Sequence, residues 1–217
     1  VNGSIFAAFI PRLPEIRDRI GVSTVVLGAL MTTALVIGLA GSLSSARILD
    51  RFGTRVSLIG GACLLVLTLP LIGFTTTPTV FVIALGFMAA LDVIVDVSMN
   101  LQGSWLSGRR HAPIMNRLHG LWSLGTVVVG LAAARLTARD VSLQVQLVGV
   151  SMVLSLALIF ISRGLLRTDE HAEGKPIGSS GSAGTSRLPL LLLALAGALA
   201  ISVELVSNDW AAFRLRD

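Results

Sequence analysis

The sequence is poor in the groups that most soluble chemistry relies on. Its single cysteine, Cys63, sits inside an apolar run, which excludes a disulfide and any cysteine metal site and predicts a small packed residue. No Gly-x-x-x-x-Gly-Lys-Ser/Thr segment occurs, so nothing here cradles the phosphates of ATP. His-Glu-x-x-His and Gly-x-Ser-x-Gly are also absent, which removes the common zinc and serine hydrolase chemistries. Only 13% of the residues are charged, and the net charge of +5 comes from arginines spread through short loops. Without a clustered basic face, nucleic acid is excluded as a partner. No motif requires a cofactor or metal, and no enzymatic activity is expected.

What is present is hydrocarbon. Of 217 residues, 53% are hydrophobic, and mean hydropathy is +0.84. Several separate apolar runs reach bilayer-spanning length, which defines an all-α polytopic membrane protein with the lipid bilayer as its solvent. Residues 1–10 are about half the length of a span and are expected to form the outer end of a first helix whose beginning is missing. Pro11, Arg12, Pro14 and residues 15–19 are expected to form a loop, with Gly21 and Ser23 announcing the next helix. Further spans are predicted over 24–46, 56–74, 80–101, 118–134 and 141–162, with a kink at Pro70. In the first of these, Gly38, Ser42 and Ala46 recur every four residues, as do Gly41 and Ser45, forming small-residue ridges for close packing. The chain therefore divides into a six-helix bundle (1–162), a cytoplasmic linker (163–187, Gly/Ser-rich over 178–186) and a seventh span with its exit (188–217). A bundle, a linker and one more helix have the look of a fragment cut on both sides.

Arginine placement orients the bundle. Arg47, Arg51 and Arg55, then Arg109, Arg110 and Arg117, then the linker cations fall on one side. The opposite side carries Arg12, Arg17, Arg19, Arg135 and Arg139. The excess makes the first side cytoplasmic.

The chain is organised around residues 88–102, where Asp92, Asp96 and Asn100 are spaced by four. At about 100° per residue, all three share a narrow helix face, while Leu91, Val93, Ile94, Val95, Val97 and Leu101 cover the rest. An aspartate at a membrane-helix centre costs roughly 2.5–3.5 kcal/mol on insertion scales, against about 0.3–0.6 kcal/mol returned by one Leu or Val. Such a face is tolerable only against protein or a wet cavity, so this helix is expected to wall a pathway. A carboxylate there can load and release a proton near neutral pH, and the Asn100 amide offers a donor and an acceptor to a polar solute. Asn116, His119 and Ser123 share a face of the following helix at three- and four-residue spacing. His119 is a candidate relay or ligand group, with a packed histidine as the alternative. Trp122 can stack on a ring. Glu204 is a further acid near the outer end of the seventh span.

Ala46 to Arg55, with Asp50, Arg51, Gly53 and Arg55, joins the second and third spans. It resembles the Gly-x-x-x-Asp-Arg-x-Gly-x-Arg/Lys signature of the major facilitator superfamily, with Ala46 in place of the first glycine. Residues 12–17, 91–100, 110–125 and 203–212 are similar to the branch that includes fucose permease and the rhizopine-transport proteins. The resemblance implies two six-helix halves, each made of two inverted three-helix repeats, rocking about a midplane site in a bacterial inner membrane. It implies a cytoplasmic gate at Asp50, Arg51, Gly53 and Arg55 that latches against the missing C-terminal half. It also implies proton coupling at Asp96, with Asp92 beside it. Asn100, Asn116, His119, Trp122 and Glu204 would contact a small-molecule substrate, a sugar or polyol, carried with protons. Three alternatives remain open: a proton-driven exporter, a non-transporting sensor on the same fold, and an intramembrane aspartyl hydrolase using Asp92 and Asp96. Two acids four apart on one helix argue against the last.

Overall fold

A computed structural model describes residues 1–112 and 114–166 together with scattered positions between 188 and 214. The elements are α1 (Asn2–Phe9), a 3-10 turn (Ile10–Arg12), α2 (Leu13–Ile20), α3 (Thr24–Gly73), α4 (Pro78–Arg110), α5 (Ile114–Thr137), α6 (Leu143–Ile161) and a 3-10 turn (Ser162–Gly164). No strand occurs among the described residues. Four helical segments are long and apolar enough to cross a membrane.

The longest of them crosses twice. At 1.5 Å rise per residue, the 50 residues of α3 would reach about 75 Å, far beyond a bilayer core of about 30 Å. The helix is broken at Gly53, whose φ of 75° and ψ of 162° lie in a region reserved for glycine. Leg 24–52 pairs Ile37 with Gly86, Gly38 with Ala89 and Gly41 with Ala90, so it runs parallel to α4. Leg 54–73 pairs Thr54 with Gln102 and Gly61 with Val95, so it runs antiparallel. The chain reverses at Gly53, and the two expected spans are its two legs.

Helix starts follow the sequence. Ser23, Thr77 and Ser142 each accept, through the side-chain oxygen, the backbone N–H three residues on, at 3.3, 3.3 and 3.4 Å. Several ends differ from expectation. The predicted loop at 11–19 is helical. Pro14 falls in the first turn of α2, where no backbone donor is needed, Glu15 complements the helix N-terminus, and Arg17 and Arg19 complement its last turn before Gly21. Helix α4 runs on to Arg110 with two arginines in its last turn, reducing the predicted basic loop to a few residues around His111. Pro70 lies within the helical leg 54–73, whose dihedrals stay helical through it. Cys63 is exposed rather than packed. The linker beyond residue 166 and most of the seventh span lie outside the described residues.

Packing follows residue size. Ala34, Gly38, Gly41 and Ser45 form the buried ridge of leg 24–52, whereas Ser42 and Ala46 are exposed, so only part of the predicted ridge pattern meets α4. Leu35, Leu39 and Leu43, on the opposite side of that leg, are exposed. Helix α1 lies against α5, where Thr126 Oγ1 donates to the Gly3 carbonyl at 2.9 Å. At the end of the bundle that arginine placement expects to be the outer one, Trp210 rests against Gly28, and the Arg17 guanidinium stands 5.3 Å from the centroid of the buried Phe213 ring.

Also at the outer end, α2 is pinned across the bundle by arginines. Arg12 is 5% exposed, pairs with Glu15, and donates from Nη1 to the Val141 carbonyl at 2.8 Å and to Gln146 Oε1 at 3.0 Å. Arg19 donates from Nη1 to the Gly73 carbonyl at 2.7 Å and pairs with Glu15. Removing the buried cation strands its acceptors. Arg12→Met should therefore destabilise the fold by about 2 kcal/mol, as expected for hydrogen bonds to a charged group. The better-exposed Arg19, changed to Met, should lose less than about 1 kcal/mol. Detergent-solubilised thermal melts of the two variants check the order.

Candidate functional site: the polar face of α4

The four-residue spacing holds in three dimensions. Asn100 Nδ2 donates to Asp96 Oδ2 at 2.9 Å, one helical turn away. Asp92 lies a further turn toward the outer end, half-buried, within electrostatic reach of Asp96. Its Oδ1 is buried without a hydrogen-bond partner among the described residues. From α5, His119 is close enough to act on the charge of Asp96. Asp92, Asp96 and Asn100 thus share one face of α4.

The other candidate residues separate. Asn116 and His119 are exposed on α5, and Trp122, 40% exposed, is turned toward α1, where its ring edge and carbonyl lie near Gly3. Glu204 lies outside the described residues. At the opposite end, expected to be the inner one, Asp50 and Arg51 are exposed, and the Arg51 guanidinium stands 5.5 Å from the Phe52 ring centroid. Arg55 Nη2 donates to the Ser162 carbonyl at 3.2 Å. Gly53 makes the turn that joins the two legs, and any other residue there would be strained by about 1–3 kcal/mol.

A cavity of about 430 Å³ lies inside the bundle, walled by α1, leg 54–73, α4, α5 and the end of α6. Leu58, Leu65, Val95, Met99, Leu118 and Leu158 make it apolar. Trp122 reaches it, but Asp92, Asp96, Asn100 and His119 do not. This cavity is therefore not the wet void expected beside the acids, because the 95/99/102/106 stripe of α4 faces it and the 92/96/100 stripe is rotated away.

Sequence reasoning missed Gln102, which is buried on α4 and bonded to both Thr54 and Leu166. A lone glutamine carries no motif. Its only advance signal was a polar amide in an apolar helix, two residues beyond Asn100.

A helical bundle with five crossings among its described residues and two acids at mid-helix is that of a polytopic membrane protein. The chain belongs to the Major Facilitator Superfamily, whose family model matches residues 1–213. It is similar to an uncharacterized MFS-type transporter of Yersinia pestis, at 26% identity over 180 residues, covering 82% of this chain and 46% of that protein. The chain thus spans about half the length of the curated relative it matches. No solved structure matches it at a significant level.

Proposed function

We propose that this chain is the N-terminal bundle, linker and first following helix of a secondary transporter. On this reading the transporter moves a small polar solute, a sugar or polyol, by alternating access in a bacterial inner membrane. The observation that carries the reading is the Asp92–Asp96–Asn100 face of α4, in a chain of this family. Asp96 takes the proton, Asp92 shares its field, and the Asn100 amide binds both the carboxylate and the solute hydroxyls. The substrate class rests on the resemblance of residues 12–17, 91–100 and 203–212 to the branch that includes fucose permease and the rhizopine-transport proteins.

Coupling needs only differential affinity. If solute binds one facing state better when Asp96 is protonated, each ligand draws the other across. The loop at Asp50, Arg51 and Gly53 closes the inner side against the second half of the protein. The experiment is flux. Full-length protein in liposomes with an acid-outside gradient should accumulate at least one member of a sugar and polyol panel, and a proton ionophore should abolish that accumulation. Solute binding without flux would mark the sensor reading instead, and solute-dependent proton entry with outward solute movement would mark an exporter.

A further inference from the structure

Gln102 joins three parts of the inner end that are distant in sequence. Its Nε2 donates to Thr54 Oγ1 and to the Leu166 carbonyl, each at 3.1 Å, and its Oε1 accepts the Leu166 N–H at 3.1 Å. The amide thus pairs with the Leu166 main chain much as one strand pairs with another, a donor and an acceptor each way. Both N–H groups and the carbonyl are in use, so the side chain is fully satisfied in a buried place. Thr54 follows Gly53 directly and opens leg 54–73. A second tie runs alongside, from Arg55 Nη2 to the Ser162 carbonyl at 3.2 Å. The turn bearing Asp50 and Arg51 and the chain leaving α6 therefore meet on one side chain of the helix that carries the acids.

We propose that Gln102 is a positioning residue that couples the Gly53 turn to residues 162–166, so that the gate loop and the chain leaving the bundle shift as one unit. A buried amide with three bonds has no graded response. It either holds both partners or leaves several polar atoms unpaired. A rearrangement that pulls residues 162–166 from α4 leaves one amide N–H and Oε1 of Gln102 unpaired, so the side chain that holds Thr54 loses its second anchor, and loosening the Gly53 turn removes the first. Only the effect on turnover rests on the transporter reading, because the coupling is a property of the bundle.

The test uses limited trypsin digestion of the full-length protein, with cleavage after Arg187 as the internal reference. Leu166→Pro deletes the main-chain donor while leaving Gln102 and the gate loop unaltered. It should raise cleavage after Arg51 and Arg55 by about tenfold, which corresponds to about 1.4 kcal/mol. Gly53→Ala, at the other end of the chain of contacts, should raise cleavage after Arg163 by a similar factor. Gln102→Met, which keeps the volume and removes all three bonds, should raise both. Gln102→Glu, which keeps the acceptor for Leu166 N–H, should fall between Met and the parent. If Leu166→Pro exposes only the bond after Arg163, or Gly53→Ala only the bonds after Arg51 and Arg55, each effect is local and the coupling is refuted. Parent-like digestion of Gln102→Met also refutes it. A protein that shows reciprocal exposure but no flux would sink the transporter reading and leave the coupling standing.

Discussion

Asp96→Asn in the full-length protein should abolish uphill accumulation and spare solute exchange. The substitution is nearly isosteric. It keeps an oxygen for the Asn100 amide to donate to, so the local packing of α4 survives. What it removes is the one function asparagine cannot supply, gaining and losing a proton. A carrier that moves one proton inward with each solute can support about tenfold accumulation per unit of pH gradient, since one unit corresponds to 1.36 kcal/mol. The ratio in liposomes should fall from about ten to one, while radiolabelled counterflow with solute on both sides stays within about threefold of the parent, or about 0.65 kcal/mol. Normal gradient-driven accumulation by the variant would remove Asp96 from the mechanism. The matched Asp92→Asn variant asks whether the open carboxylate oxygen above it is the true proton site. If that variant alone loses accumulation, the roles of the two acids are exchanged.

Gly41→Val should be the most damaging single change in the bundle. A Cβ at Gly41 would collide with the main-chain Cα, carbonyl carbon and oxygen of Ala90, and backbone cannot rotate out of the way. The leg and α4 would have to separate along the whole Ala34–Gly38–Gly41–Ser45 ridge. Over-packing a well-filled core typically costs about 1–3 kcal/mol, and a collision with main chain belongs at or above the upper end. The expected result is loss of the monodisperse peak and of a cooperative melt in detergent. Ser42→Val, one residue along, projects an apolar side chain from an exposed position toward lipid and should melt like the parent. Equal melting of the two variants would mean that the close approach to α4 does not support the fold.

Much of the architecture could be read from the residues because each signal was local. The 92/96/100 face follows from the helical period alone, and the Asn100–Asp96 bond shows the spacing doing what it promised. The turn at Gly53 was legible because only glycine takes its backbone dihedrals cheaply. The cap at Ser23 is likewise local chemistry, whereas those at Thr77 and Ser142 start their helices at Pro78 and Leu143 rather than at the expected 80 and 141. Where local rules were ambiguous, reading failed. Pro11 and Pro14 look like loop residues, yet a first helical turn accommodates proline, and α2 forms around Pro14.

By itself, then, the chain's order of residues determined that it lives in a bilayer, where it turns, and that one helix carries two acids and an amide on a common face. These rest on hydrophobic length and helical period, which need no partner. Tertiary structure alone decided which small residues of leg 24–52 touch α4. Two registers obey the same four-residue rule, and only the rotation of the neighbouring helix selects between them. It also decided that the apolar cavity opens on a different stripe of α4 from the acids, and that Gln102 bonds to Leu166, 64 residues away. Contacts between distant segments depend on how helices are rotated and stacked, and no single segment encodes that angle.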